Sequence, residues 1–294
     1  MTTDRPGRAG EATPEAGGPW TDRGGFWTVG SPERTEVAVV CCLHGDEPCG
    51  KLATERVLGE HGELEDVTFV LADPLAYERG QRYVDEDLNR AFPGTPDAGS
   101  HERRLAARLV ETFRDHLVLD VHSTVSAPTP FALIGSRTPR VREAARRTGI
   151  GRVVDVGYVG GGMIGHLDGV AVEVDGADRR RGTDAAYRAI LDFLGSYGLV
   201  EADHRRADPV LYRVYDDIPK SVDGLDLCRE NFERVHEGEV FARGEGTAYR
   251  AGETFYPVLT SEGGYDDIYG FRAVREGQLS EQGAGDRPAG DRPV

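Results

Sequence analysis

The hydrophobic positions of the first 200 residues alternate between two patterns. Short apolar runs rich in β-branched residues, such as EVAVVCCL at 36–43, are typical of buried strands. In contrast, the stretch 101–115 carries Leu105, Leu109 and Phe113 at a spacing of four, which predicts an amphipathic helix. The predicted strands are 36–43, 67–72, 117–122, 131–134, 153–156 and 169–174, and the predicted helices are 51–60, 101–115, 139–149 and 183–197, the last with Thr183 as its N-cap. This alternation predicts an α/β fold, in which a mostly parallel or mixed sheet is covered by helices on both faces.

The pattern changes after residue 200. Short β-like runs separated by Gly and Asp turns predict a smaller, C-terminal all-β domain, and they occupy 209–217, 239–243, 247–250, 255–260 and 268–273. The two ends of the chain offer little to bury and are predicted to be disordered. The expected division is a tail over 1–20, a main domain over 21–200, a β domain over 201–276 and a second tail over 277–294.

Polar side chains stand where three of the predicted strands end. His44 and Glu47 follow the first strand, His122 ends the third, and Glu173 lies in the strand at 169–174. Because ligands of open α/β sheets bind at the carboxyl ends of the strands, these four side chains are expected to share one edge. Two imidazoles and a carboxylate suit a catalytic zinc ion. The alternative for the HxxE pair alone is that His44 caps its strand and Glu47 sits in a first helical turn.

Two carboxylates on these strands have more than one interpretation. Glu173 interrupts an otherwise apolar strand, where a buried carboxylate is costly unless it is partnered or protonated. Beside a metal it would suit a general base, and elsewhere it would pair with an arginine. Asp120 lies two residues before His122 and faces the same side of the strand, so it either orients that ligand or has an ordinary structural role.

The segment RYVDEDLNRAFPG at 82–94 lacks a clean periodicity and is predicted to be a loop. Arg82 and Arg90 could each bind a carboxylate or a developing oxyanion, and Asn89 can both donate and accept hydrogen bonds. The alternative is a solvated, salt-bridged surface loop.

Composition narrows the classes of function. The 294 residues carry a formal net charge of -16, which disfavours nucleic acid and anionic membranes as partners. No stretch approaches the ~20 apolar residues of a membrane-spanning helix, and no export signal opens the chain, so a cytoplasmic location is expected.

Lys51 and Lys220 are the only lysines among 35 basic residues, which indicates a halophilic protein, with a high-GC genome as the alternative. The four cysteines are expected to be reduced thiols, because their spacing fits neither a disulfide framework nor a cysteine zinc site.

Four segments occur in the order HGDEPCG, RYVDEDLNRAFPG, LDVHS and AVEVDG, and with them the chain resembles the succinylglutamate desuccinylase/aspartoacylase family. The resemblance covers about residues 35–270 and implies a carboxypeptidase-like α/β fold with an added β domain. It implies one zinc ion (Zn2+) per chain, held by His44, Glu47 and His122, and a catalytic Glu173 as the base that activates the water. It also implies that Arg82 polarises the scissile carbonyl, that Asn89, Arg90, Glu262 and Tyr265 bind substrate, and that Asp87 and Asp120 support the site.

The activity implied by the resemblance is hydrolysis of the amide bond of a small, anionic N-acyl amino acid or related carboxylate by a zinc-dependent deacylase. Two alternatives stay open: a zinc carboxypeptidase acting on peptides, and a non-catalytic metal-binding protein with a decayed site. A homo-oligomer is also compatible with the sequence.

One departure from the family pattern bears on the substrate. Aspartoacylase-like members carry a further substrate-binding arginine shortly before the catalytic glutamate, whereas 160–168 here reads GGGMIGHLD. A substrate with fewer carboxylates is therefore expected. His166 of this segment either lines the pocket or is an ordinary loop histidine.

Overall fold

The computed structural model describes residues 18–126, 128–220, 226–244, 246–261 and 267–282. Its strands are β1 (Thr21–Asp22), β2 (Trp27–Val29), β3 (Val37–Cys41), β4 (Val67–Leu71), β5 (Leu117–Thr124), β6 (Phe131–Ile134), β7 (Arg152–Asp155), β8 (Gly169–Asp175), β9 (Val210–Pro219), β10 (Asp226–Leu227), β11 (Val240–Gly244), β12 (Thr247–Arg250), β13 (Tyr256–Val258) and β14 (Ile268–Gln278). Its helices are α1 (Cys49–His61), α2 (Pro74–Arg79), α3 (Leu88–Ala91), α4 (His101–Phe113), α5 (Pro139–Arg147) and α6 (Arg179–Ser196).

One large mixed sheet organises the chain, with the strand order β1-β2-β4-β3-β5-β8-β6-β7-β9-β14-β13. The run β4-β3-β5-β8 is parallel, and so is the run β6-β7-β9. Strand β6 joins these two runs by pairing antiparallel with β8, and both ends of the sheet are antiparallel. This topology confirms the predicted fold class, a mostly parallel or mixed sheet combined with helices.

Helices cover both faces of the sheet, because alternate strand residues point to opposite faces. In β3, Val39 packs with α1, α5 and α6 in one apolar cluster, whereas Val40 packs with α3 and α4 in another. The amphipathic helix α4 contributes Leu105, Leu109 and Phe113 to the second cluster, as its spacing of four predicts. Burial of each such side chain contributes roughly 1.5–3 kcal/mol to folding. The two clusters hold the carboxyl ends of β3, β5 and β8 side by side.

The start of α6 corrects one prediction. The helix begins at Arg179 rather than at Thr183, and its N-cap is Asp178, whose side chain accepts a hydrogen bond from the Arg181 amide at 3.1 Å. The sequence RRRG resembles a turn, but its glycine has a packing role. A Cβ at Gly182 would lie 2.2 Å from the carbonyl oxygen of Asp175, so glycine lets the first turn of α6 approach the end of β8.

Several short elements were not predicted. The segment 82–94, expected to be a loop, contains the short helix α3, whose N-cap is Asp87. The strands β1 and β2 and the helix α2 also lack a periodic signal, because they are only two to six residues long.

The C-terminal strands divide between two sheets. Strands β9, β14 and β13 extend the central sheet, while β10, β11 and β12 form a separate three-stranded sheet. Residues 277–281, assigned from sequence to a tail, belong to the end of β14 and a following 3-10 turn. The wider division into domains stays a prediction. Among the described residues, none of the helices has the length and apolar character needed to cross a membrane.

Candidate metal centre and cavity

The turn after β3 places His44 and Glu47. Cys42 leaves the strand with a left-handed φ of 51°, and the chain then turns so that the Glu47 amide donates to the His44 carbonyl at 3.1 Å. Gly45 is required inside this turn, since a Cβ there would lie 2.1 Å from the backbone carbon of Ala76. Helix α1 begins directly afterwards at Cys49. The HGDEP segment is thus a compact link between strand and helix that directs two potential ligands to one point.

The neighbouring strands bring the other two predicted residues to the same place. His122 on β5 is paired in register with Glu173 on β8, and β5 lies directly beside β3. The structure therefore brings the ends of these three strands to one edge of the sheet. The ring centroids of His44 and His122 are 5.1 Å apart.

The ligand atoms of His44, Glu47 and His122 all lie within 4.8 Å of one another. Nδ1 of His44 is 2.8 Å from Oε1 of Glu47, and Nδ1 of His122 is 3.1 Å from Oε2. On the far side of each ring, Nε2 faces an aspartate: Asp87 at 3.2 Å from His44, and Asp120 at 2.8 Å from His122. Both Nδ1 atoms thus face Glu47 and both Nε2 atoms face aspartates, with Arg82 Nη2 also 3.1 Å from Nε2 of His44. A cation between Glu47 and the two Nδ1 atoms would leave the ring hydrogens on Nε2, which is an arrangement typical of metal ligands.

The electrostatics of this cluster also fit a cation. Burial lowers the pKa of His122, but Asp120 and Glu47 outweigh it and raise the pKa well above its ordinary value. Burial likewise opposes a charge on His44, and Glu47 and Asp87 raise its pKa. Burial raises the pKa of Glu47, yet the two imidazoles hold it well below its usual range. A site that stabilises protons on two imidazoles also stabilises a divalent cation, so the donor set and the field both fit a metal.

Glu173 stands beside the cluster with a different character. Burial raises its pKa to about 7, an effect that Glu47 reinforces and His122 opposes. The carboxyl group is half-buried and lines the cavity described below. A carboxyl group with this pKa exchanges its proton readily near neutral pH, which is the property required of a general acid and base.

Arg82 and Asp87 connect the 82–94 segment to the cluster. Arg82 donates to Oε1 of Glu47 and to Oδ2 of Asp87, both at 3.2 Å. Arg90 also donates to Asp87, the buried N-cap of α3. Burial raises the pKa of Asp87, but His44 and the two arginines hold it far below its usual value. The two predicted arginines are therefore brought to the centre.

The remaining sequence-predicted residues divide into two groups. Asn89 lines the cavity, and its Oδ1 accepts a hydrogen bond from the Met163 amide at 3.2 Å, so it also secures the loop before β8. Glu262 and Tyr265 lie outside the described residues. His166 is exposed and stacks against Phe92, with ring centroids 6.4 Å apart, as an ordinary loop histidine does.

Sequence reasoning missed Glu102, a fully buried carboxylate in the first turn of α4. Its oxygens accept hydrogen bonds from the backbone amides of Val84, Asp85 and Glu86, at distances between 2.5 and 3.2 Å. This contact fixes the backbone between Arg82 and Asp87. A glutamate near a helix N-terminus is common in any sequence, so no local signal distinguishes it.

The centre opens into a cavity of about 800 Å³. Its lining combines the ligand cluster, Glu173, Arg82 and Arg90 with apolar residues from β6, β8, β14 and the loop 156–164. This volume is within the range of about 300–1,000 Å³ that is usual for small-molecule sites. The four cysteines do not contribute a metal site: all are free thiols, and Cys41, Cys42 and Cys49 are buried.

Fold and site together define an α/β protein whose central strands present a His–Glu–His metal-ligand set and a neighbouring glutamate at their carboxyl ends. Residues 33–154 match the succinylglutamate desuccinylase/aspartoacylase catalytic domain. The matched part contains His44, Glu47 and His122, so the similarity includes the candidate metal ligands.

Relatives of known sequence and structure agree with this match. A probable aspartoacylase of Prochlorococcus marinus subsp. pastoris is 42% identical over 100 residues, which are 31% of this chain and 34% of that protein. An N-acyl-aromatic-L-amino acid amidohydrolase (carboxylate-forming) of Xenopus laevis is 32% identical over 111 residues, which are 33% of this chain and 36% of that protein. The matches thus span about a third of the length of these two relatives. In structure, the product-bound ectoine utilization protein of Ruegeria pomeroyi is similar with a TM-score of 0.65 and 19% identity, over 85% of this chain and 87% of that one. This likeness supports the fold.

Proposed function

We propose that the protein is a zinc-dependent deacylase that hydrolyses the amide bond of a small N-acyl amino acid or related carboxylate. The observation that carries this proposal is the convergence of His44, Glu47 and His122 beside Glu173 on adjacent strands. The match of residues 33–154 to the catalytic domain of this family and the names of the relatives support a hydrolase of carbon–nitrogen bonds other than peptide bonds. Zinc is proposed because two histidines and one glutamate are a usual ligand set of catalytic zinc.

The residues around the cluster have separate tasks in this proposal. A divalent cation held by His44, Glu47 and His122 would supply Lewis-acid chemistry, by polarising the carbonyl and making water more acidic. Glu173 accepts a proton from the attacking water and returns it to the leaving amine as the carbon–nitrogen bond breaks. Arg82 donates hydrogen bonds to the developing oxyanion.

Binding and orientation are assigned to the polar groups next to these. Arg90 binds the carboxylate of the substrate, since a guanidinium and a carboxylate form two parallel hydrogen bonds. Asp87 and Asp120 accept from the Nε2–H groups of the two imidazoles and thereby direct the Nδ1 atoms toward the cation. Asn89 keeps the loop before β8 next to the site.

The central test is Glu173→Gln, with Glu111→Gln as the control on an exposed face of α4. Loss of the proton acceptor is expected to lower kcat on N-acyl amino acids by about 1,000-fold. Bound zinc, measured by elemental analysis of the purified protein, is expected to stay near one ion per chain. The control is expected to keep both properties.

Three results would contradict the proposal. Near-normal turnover of Glu173→Gln would remove Glu173 from the reaction. Release of C-terminal residues from long peptides, without hydrolysis of N-acyl amino acids, would indicate a carboxypeptidase. Purified protein without any divalent ion, and with no activity after zinc addition, would indicate a decayed site.

A further inference from the structure

The cavity has an apolar wall that the proposed reaction does not use. We define this wall by the residues Leu133, Val156, Val159, Ile164, Ala171 and Phe271. Its members come from β6, β8, β14 and the loop 156–164. They belong to one hydrophobic cluster, in which Leu133, Ala171 and Phe271 are buried and the loop residues are half-buried.

The sheet places this wall directly beside the reacting groups. Ala171 lies two residues before Glu173 on β8, so both side chains point to the same face of the sheet. Leu133 on β6 is the register partner of Ala171. The apolar surface therefore continues from Glu173 along the sheet without an intervening charged strand position.

The loop before β8 connects the wall to the anion-binding side. Met163 is fully buried, and its amide donates to Oδ1 of Asn89, the neighbour of Arg90. Ile164 follows in the same 3-10 turn and lines the cavity.

The charges of the cavity disfavour a substrate with several carboxylates, because five carboxyl groups line it as well: Asp46, Glu47, Asp87, Asp120 and Glu173. Among the described residues that line it, Arg82 and Arg90 carry the permanent positive charges, and both lie against Asp87. With Arg82 next to Glu47 and assigned to the carbonyl, we assign the substrate carboxylate to Arg90, which also pairs with Asp87. A second carboxylate on the substrate would have to be desolvated against the apolar wall, which is strongly unfavourable.

One exposed apolar side chain also lines the cavity: Val125, which is 75% exposed.

From these observations, we propose that the substrate is a monocarboxylate that carries an alkyl or aryl group, and that this group binds against the apolar wall. The proposal rests on the proposed function and adds the substrate class. The apolar group has two sources, the acyl chain or the side chain of the amino acid, and the experiment below separates them.

Binding is measured first, in the zinc-loaded Glu173→Gln protein, so that affinity is read without turnover. One series extends the acyl chain of N-acyl-glycines from acetyl to hexanoyl, and a second extends the amino-acid side chain of N-acetyl compounds from alanine to leucine and phenylalanine. In the series that reaches the wall, the Kd is expected to fall about fourfold for each added methylene. N-acetyl-aspartate and N-succinyl-glutamate are expected to bind more weakly than the best member of that series.

The wall itself is tested with Ile164→Arg, which adds a cation to the cavity. Its matched control is His166→Arg, which adds the same cation to the adjoining turn on an exposed side chain. The ratio of affinity for N-acetyl-aspartate to affinity for the apolar ligands is expected to rise at least tenfold in Ile164→Arg and to stay unchanged in the control. Val159→Arg provides the same test if Ile164→Arg does not fold.

The outcomes separate this inference from the proposed function. Two results would overturn the inference even if the enzyme hydrolyses amides. One is that the protein without a wall substitution binds dicarboxylates more tightly than apolar monocarboxylates. The other is that affinity does not change with chain length in either series. Chain-length dependence with the expected response to Ile164→Arg would support the inference even if the wild-type protein hydrolysed none of these compounds, a result that would instead overturn the proposed function.

Discussion

Each imidazole of the site lies between two carboxylates. His122 has Glu47 at Nδ1 and Asp120 at Nε2, and His44 has Glu47 at Nδ1 and Asp87 at Nε2. When a cation occupies the Nδ1 side, the hydrogen of each ring is on Nε2, where the aspartates accept it. The availability of both Nδ1 atoms for a metal therefore depends on Asp120 and Asp87, which are not themselves in the proposed ligand set.

This dependence predicts the effect of Asp120→Asn. The asparagine side chain has nearly the same shape, but its amide can donate to Nε2 and so favours the tautomer with hydrogen on Nδ1. Zinc affinity is expected to fall by about 10- to 100-fold, measured by competition with a chelator of known affinity. Asp97→Asn, on an exposed position, serves as the control. Unchanged zinc affinity would assign Asp120 a purely structural role.

The sequence identifies site residues well when the main chain alone determines their position. His44, His122 and Glu173 can be predicted because parallel strands end at one edge, whatever the loops do. Glu102 cannot, since its partners are backbone amides of a segment 16 to 18 residues away. Any residue type provides a backbone amide, so the sequence does not indicate the partners of Glu102. Its role in holding the segment that carries Arg82 can be recognised only in the folded structure.

At the scale of elements, helix α4 acts as the support of the segment between α2 and α3. Glu102, at its first turn, accepts from three consecutive amides and holds the backbone that carries Arg82 and Asp87. Glu86 of the same segment pairs with Arg103, next to Glu102 on the helix. The position of the guanidinium relative to Glu47 therefore depends on a helix that does not itself line the cavity.

Glu102→Gln is expected to impair this support. A glutamine has one acceptor oxygen, and its NH2 group would face a backbone N–H, so at least one amide loses its partner. Each lost bond to the charged group costs about 1.5–3 kcal/mol. We expect a lower Tm and a reduced kcat, with zinc content unchanged; Glu111→Gln on the same helix is the control. A lower Tm with normal kcat would limit Glu102 to stability and contradict its role in placing Arg82.

Strands and helices can be predicted from the sequence where burial determines the hydrophobic pattern. Their place in a sheet cannot be predicted where strands pair that are distant in the sequence. The strands β3, β4, β5 and β8 are continuous apolar runs, and α4 has a clear periodic face, so each can be predicted locally. The strands β9 and β14 can be predicted as strands, but not as part of the central sheet. Their membership depends on the pairing of Val210 with Arg152, which are 58 positions apart in the sequence, and no local pattern indicates it.

For the whole molecule, charge is the dominant feature. The net charge is -16, yet many acidic groups are paired with arginine inside networks. Asp192 is fully buried and accepts from Arg188 and Arg205, and Glu276 accepts from Arg137 and Arg213. Because these networks use some of the arginine side chains, the acidic side chains in excess of arginine lie on the rest of the surface. Repulsion among these acidic side chains opposes the compact state.

Salt is therefore expected to stabilise the protein. Raising KCl from 0.1 to 1 M shortens the screening length from about 10 Å to about 3 Å, which weakens repulsion between separated surface acids more than it weakens the buried networks. Tm at pH 7 is expected to rise over this range. Salting-out of apolar surface would also raise Tm, but it does not depend on net charge. The comparison is therefore repeated near the isoelectric point of about 5.0, where repulsion is small and the KCl effect is expected to shrink. A Tm that falls steadily with KCl at pH 7 would contradict the halophilic interpretation, and an equal rise at both pH values would attribute the effect to salting-out rather than to charge.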